Sequence, residues 1–175
     1  ATVTRAIHGV YPLKLIYHSL KTGPVSREMV PHALVDSGLR WHVRAYDRTK
    51  SEFRDLVLTR MEKVTPIKTT AANAQVQAHE LPAADTQWQH MVYLELHPHP
   101  AHKHQASVAR DFGMTNGVLR VTVRAAVLGH MLRQWQVDCS PQAILTGAAY
   151  RLRLANLEAL EGVDSAELAP GYSGA

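Results

Sequence analysis

Arg40, His42 and Arg44 stand at every second position of the stretch RWHVRAYD, residues 40–47. Side chains of a β-strand alternate between two faces, so this spacing puts two permanent cations and a titratable ring on one side. Tyr46 joins them, while Trp41, Val43 and Ala45 are assigned to the opposite, core-facing side. Such a row can bond an anion: a guanidinium offers two parallel bonds to phosphate, and an imidazole adds charge near neutral pH. Neighbouring runs extend the pattern. SREMVPHAL adds Arg27 and His32 on the strand expected to pair through a hairpin at Gly38, and FRDLVL adds Arg54. Tyr17 and Tyr46 supply aromatic rims on which bases could stack. A solvated strand carries the same residue types singly; their contiguity on one face points to an anionic ligand, a nucleotide or single-stranded nucleic acid.

Other chemistries find less support. His97, His99, His102 and His104 fall within HPHPAHKH, and four imidazoles could meet one zinc ion. Prolines interrupt the run, no carboxylate lies close by, and no fixed metal motif is present, so no metal site is expected. There is no nucleophile elbow and no phosphate-binding glycine loop. Cys139, the single cysteine, reads as a small buried side chain. No catalytic residue and no cofactor is assigned.

The elements that must position the cationic row read as strands. LKLIYHSL (13–20) ends at the turn signal KTGP, and SREMVPHALVD (26–36) is bent by Pro31. DSGL (36–39) is a hairpin signal, followed by the strand at 39–46 and then FRDLVLTRM (53–61). Short strands at this spacing predict a small barrel over residues 1–62. Residues 63–87 have weak periodicity and two prolines and read as a linker. The second half alternates: strand 88–98, helix 103–113, strand 117–124, helix 125–136 and a last strand 137–139. Val127, Leu128, Met131, Leu132 and Trp135 form the apolar stripe of the second helix. The order β-α-β-α-β predicts an α+β domain over 88–175, with a further helix through AAYRLRLANLEALEG.

Composition sets wider bounds. The 175 residues are 46% hydrophobic with a formal net charge of +4, and the sequence pI is near 9.4. This balance permits nucleic acid as a partner without demanding it. No apolar run is long enough to cross a bilayer, and the N-terminus lacks an apolar signal region, so no membrane partner is expected. One cysteine fits a reducing, cytoplasmic location.

The stretches LIYHSL, REMVPHALVDSGLRWHVRAYD and FRDLVLTRM resemble the WYL domain of bacterial transcriptional regulators. The Trp-Tyr-Leu triplet of that family aligns with Trp41, His42 and Val43, with His and Val replacing Tyr and Leu. RWHVRAY is similar to a subgroup of WYL repressors found beside phage-defence islands. ELHPHP, RDFGMTNG, VRAAV and the terminal LAPGY resemble the extension that often follows a WYL domain.

This resemblance implies an Sm-like, SH3-type β-barrel that senses a ligand. It implies a ferredoxin-like α+β extension that helps form a homodimer. It also implies a winged helix-turn-helix that binds operator DNA, for which this chain has no room, so the chain is expected to be a fragment, the alternative being a natural protein that lacks its DNA reader. Carried over residue by residue, the ligand positions are Tyr17 and Ser19 in the first strand, Arg27 and His32 in the second, His42 flanked by Arg40 and Arg44, and Arg54. The leading reading is the sensing and dimerisation part of a regulator. The rival is an Sm-like single-strand-binding module without a switch. An enzyme acting on nucleotides is the third class.

Overall fold

A computed structural model describes residues 1–174. Residue 175, the end of the expected second domain, lies outside the described residues. The chain divides into two compact units, Ala1–Thr86 and Gln87–Ala175.

The first unit opens with a helix, ahead of the strands that the sequence pattern marks. α1 (Thr2–Gly9) turns Val3 and Ala6 into the core, and Val10 adopts a left-handed conformation to end it. These residues lie three apart, on one helical face. β1 (Leu13–Ser19), β2 (Gly23–Asp36), β3 (Trp41–Asp47), β4 (Glu52–Val57) and β5 (Met61–Pro66) follow. They form one antiparallel sheet in the order β4-β3-β2-β1-β5. The ladders do not close it into a barrel.

The register of β2 against β3 shifts between Pro31 and Ala33, where Pro31 has no N–H to give the ladder. Gly38 turns the β2–β3 hairpin at φ 77°, and its N–H donates to Asp36 Oδ1 at 2.8 Å. Leu13, Leu15, Tyr17, Met29, Val43, Ala45 and Leu56 pack inside.

Two expectations for this unit need correcting. Trp41 is 50% exposed and is not a core residue, whereas Arg44 on the opposite face is only 6% exposed. Moreover, residues 63–87 are not an extended linker. β5 pairs with β1 from Tyr17↔Met61 to Leu13↔Pro66. Ala72–Ala74, Ala78–Glu80 and Pro82–Ala84 are 3-10 turns, and their carboxylates reach back onto the sheet. Both faces of β3 are consequently covered over Arg44, and a period-two pattern can report only one of them.

The second unit runs from α2 (Thr86–Gln89), which straddles the boundary, through β6 (Met91–Pro98), α3 (Gln105–Asp111), β7 (Leu119–Arg124) and α4 (Ala125–Gln134) to β8 (Val137–Asp138) and β9 (Leu152–Leu154). The sheet order is β7-β6-β9-β8, antiparallel except for the β8–β9 pair. Leu94, Leu96, Leu128, Leu132, Leu152 and Leu160 fill its core. Ala125, Leu128 and Leu132 carry the buried side of α4, with Gly129 beside them, while Trp135 remains substantially exposed. Burial pushes the Cys139 thiol up to about 12, as expected of an inert, buried side chain.

The helix expected through 148–162 is absent. Leu152 and Leu154 instead bury themselves as β9, with Arg153 between them, and a 3-10 turn follows at Leu157–Leu160. Helix propensity is a weak prior, and pairing with β6 on one side and β8 on the other overrides it.

Candidate anion-responsive face

Arg44 sits in the middle of β3, opposite Ala33 on β2 and Asp55 on β4. Its Nε donates to Asp85 Oδ2 at 2.8 Å and its Nη2 to Asp85 Oδ1 at 2.9 Å, a bidentate pair. Nη1 lies 3.5 Å from Asp55 Oδ1. His32 Nε2 is 3.1 Å from the same Asp85 Oδ2, and Asp85 is 1% exposed. Burial by itself would lower the Arg44 pKa, but Asp85 and Asp55 outweigh it and hold the guanidinium above its ordinary value. The cation at the centre of the row is therefore already neutralised by a carboxylate from 41 residues away in sequence.

A second pair repeats this arrangement beside the first. Arg48 donates through Nε to Glu80 Oε1 at 2.5 Å and through Nη2 to Glu80 Oε2 at 2.8 Å. Its Nη1 donates to the Asn73 carbonyl, and its Nη2 also to that of Gln75 at 2.9 Å. Burial raises the Glu80 pKa, yet Arg48 and the Gln77 N–H overcome this and leave the carboxyl below its usual range. Tyr46 meets Phe53 and His79 edge-on, with ring centroids 5.2 and 5.3 Å apart. Residues 72–85 thus form a strap held to the sheet by two bidentate ion pairs.

The eight residues singled out from the sequence fall into three groups. Arg44 and His32 converge on Asp85, while His42 lies on the same strand with Nε2 3.3 Å from Ser37 Oγ. Arg27 and Tyr17 form another group: the guanidinium stacks 5.5 Å from the Tyr17 ring centroid and pairs with buried Asp47. Tyr17 Oη accepts the Val57 N–H at 3.1 Å. Ser19, Arg40 and Arg54 lie outside both. Ser19 Oγ accepts the Lys21 and Thr22 N–H groups in the β1–β2 turn. Arg40 is exposed next to Trp41, and Arg54 is half-exposed, 3.5 Å from Glu52. Asp85, Glu80 and Arg48 escaped sequence reasoning. Two acids five residues apart in HELPAAD were the available signal, but nothing local says where they reach.

The histidines of HPHPAHKH do not converge. The Ala101 N–H donates to His99 Nδ1, which leaves Nε2 to donate to Asp138 at 3.0 Å. His102 Nε2 lies 3.0 Å from the Tyr150 carbonyl, and His104 begins α3. Among the described residues, no group of three or more His, Cys, Asp or Glu side chains is placed to hold a metal ion. Among the described residues, no helix is long and apolar enough to cross a membrane.

Residues 1–66 match the WYL domain family, and residues 91–160 match the BrxR transcriptional regulator, C-terminal dimerization domain. The chain thus carries a WYL domain followed by a BrxR-type C-terminal dimerization domain. It is similar to proteins named DNA-binding transcriptional repressor CapW. The Pseudomonas aeruginosa repressor is 34% identical over 151 residues, covering 81% of this chain and 48% of that protein. The Stenotrophomonas maltophilia repressor is 32% identical over 142 residues, covering 79% and 45%. This chain thus spans about half the length of these relatives, which are repressors by name, not enzymes. In the proteasome accessory factor B/C of Arthrobacter aurescens, a solved structure aligns with 94% of this chain and 26% of that one, at 23% identity and a TM-score of 0.37.

Proposed function

We propose that this chain is the ligand-sensing and dimerisation part of a cytoplasmic transcriptional regulator. Its first unit acts as an Sm-like sensor and its second as a ferredoxin-like dimerisation module. A winged-helix domain elsewhere in the full-length protein reads operator DNA, as the name of the CapW relatives suggests for them. The ligand is an anionic nucleotide or single-stranded nucleic acid. It engages the face of Arg40, His42, Arg44 and His32; Tyr17, Ser19, Arg27 and Arg54 fall by register on the opposite, Val43–Ala45 side of the sheet. One observation carries this reading: the Asp85 carboxylate holds Arg44 bidentately and shares His32. A phosphate makes the same fork-shaped contact, so the ligand enters by exchange with Asp85. Exchange frees residues 72–85, and the chain continues from there directly into the dimerisation unit. The output is a shift between two dimer populations.

Binding of labelled oligonucleotides and nucleotides, followed by fluorescence anisotropy, tests this reading. Asp85→Asn removes the internal competitor and should tighten binding about ten-fold, the equivalent of about 1.4 kcal/mol. Exposed Arg40→Ala should weaken binding and flatten the log–log salt slope by about 0.7 for a single strand. If neither the parent nor Asp85→Asn binds any anion, the sensing role fails. If both bind equally while binding does not change the dimer, the rival reading holds, a single-strand-binding module without a switch.

The dimerisation domain carries its own expected result. Sedimentation of the 175-residue chain at micromolar concentration should give a dimer. A monomer that persists at high concentration would remove the basis for a dimer-geometry switch.

A further inference from the structure

The second unit holds a cleft of about 870 Å³ that plays no part in the sensing proposal. Three elements line it. On α3, Gln105, Ala106, Ala109 and Arg110 face it, a spacing of i, i+1, i+4 and i+5 that marks one helical side. The turn after α3 adds Gly113, Met114, Asn116 and Gly117. The sheet contributes His97 and Arg153, which are paired directly across β6 and β9. Asn116 and Gly117 have φ of 52° and 74°, the two positive values required by the tight turn that closes the Thr115–Val118 bridge.

The charges in this cleft are not balanced. Among the described residues, no carboxylate lies within 4 Å of the Arg110 or Arg153 guanidinium. The neighbouring acids are engaged elsewhere: Asp111 with Arg151 at 3.6 Å and Glu95 with Arg120 at 3.4 Å. Like charges directly opposite on paired strands repel, and Arg153 stands opposite His97. Burial first, and then Arg153 and Arg120, hold the His97 ring below its ordinary pKa, against the pull of Glu95. The remaining wall is apolar, made of Pro98, Pro100, Ala106, Ala109 and Met114. Two guanidiniums and an imidazole at one cleft suit a phosphate dianion. An apolar floor with a polarisable thioether suits a flat organic body. The volume falls within the range of about 300–1,000 Å³ usual for small-molecule sites.

We propose that the cleft between α3, the 113–117 turn and the outer side of β6–β9 binds a phosphate monoester carrying a nucleoside-sized body. Arg110 and Arg153 grip the phosphate, and the apolar wall with Gln105 and Asn116 takes the body. This site is separate from the face on β3 and stands or falls without it.

Calorimetric titration of the 175-residue chain tests the site, with adenosine and uridine monophosphates, adenosine and inorganic phosphate as probes. The monophosphates should bind, while adenosine and inorganic phosphate should each bind at least ten-fold more weakly. Arg110→Ala on the exposed side of α3 should weaken monophosphate binding ten-fold or more without altering the melting temperature. Arg153→Lys, which keeps the charge but loses the fork, should weaken it several-fold. The titration is repeated in an Arg40→Ala background, where nucleotide binding at the sensing face is weakened, and the heat that remains there should still be lost on adding Arg110→Ala, which separates this site from the sensing face. The proposal is overturned if no heat is seen at millimolar ligand, or if inorganic phosphate binds as well as the esters. It is equally overturned if Arg40→Ala rather than Arg110→Ala abolishes binding. Finally, if Arg110→Ala converts the dimer to a monomer and no monophosphate binds the parent, the cleft is covered by a second copy and not by a ligand.

Discussion

Arg44→Ala should destabilise the first unit by about 3–5 kcal/mol, the cost of breaking a buried ion pair by removing one partner. The substitution leaves Asp85, 1% exposed, without its guanidinium. His32 and backbone groups cannot replace a bidentate cation. With roughly 5–15 kcal/mol of total stability in a typical domain, the unit would lose a large part of its reserve. Its melting temperature should fall by more than about 12 °C, taking at least 4 °C per kcal/mol for a unit of this size. Trp41→Ala should change stability by only about 0.5 kcal/mol, because the indole is half-exposed at the β2–β3 hairpin. This order reverses the one that strand alternation alone implies, in which Trp41 is core and Arg44 is solvated. Urea unfolding of both variants decides between them. A third variant sharpens the test: Arg44→Met combined with Asp85→Leu should recover most of the loss, since an apolar pair of similar volume is often neutral or better. If Arg44→Ala unfolds at the parent's urea midpoint, the ion pair does not hold the strap.

Gly129→Ala is the second large effect, and its sign is opposite to the usual one. In an exposed helix, alanine is favoured over glycine by about 1 kcal/mol. In α4 a Cβ at position 129 would stand 1.7 Å from the Ser165 carbonyl oxygen and 2.6 Å from its carbonyl carbon. The obstacle is backbone, so no rotamer change relieves it. Ser165 is also tied to the helix: its Oγ accepts the Gly129 N–H at 2.9 Å and donates to the Ala125 carbonyl at 2.6 Å. The helix must move off residues 164–168 and open the packing around Leu128, Leu132 and Ala166. Overpacking typically costs about 1–3 kcal/mol; adding the strained Ser165 bonds, we expect about 3 kcal/mol or more. Ser165→Ala, which removes only the hydroxyl, should cost about 1 kcal/mol. Thermal unfolding of the pair separates the two effects, and a Gly129→Ala variant as stable as Ser165→Ala would mean that the 164–168 segment yields freely.

Local pattern carried a good part of this protein. Period-two runs located β1 and β3 to within a residue or two, and Val43 and Ala45 are fully buried as that pattern required. Gly38 marked the hairpin because only a residue free of Cβ strain turns there easily. The helical stripe placed α4, and the motif residues around Trp41 and in RDFGMTNG pointed to the WYL domain and its extension, which the family matches bear out. These features depend on neighbours within one or two turns of chain.

What the sequence did not disclose depends on residues far apart. Arg44 looks solvated because its partner, Asp85, arrives from a segment with no periodicity of its own. The stretch AAYRLRLANLEALEG favours a helix by composition, but Leu152 and Leu154 become a strand because β6 and β8 leave a slot between them. Gly129 reads as a weak point in a helix until Ser165 is seen against it. Alternation fixes which side chains share a face, through the geometry of one strand. Whether that face meets water, a ligand or another part of the chain is decided by long-range closure, and the carboxylates of Asp85 and Glu80 settle it only once the strap has folded back.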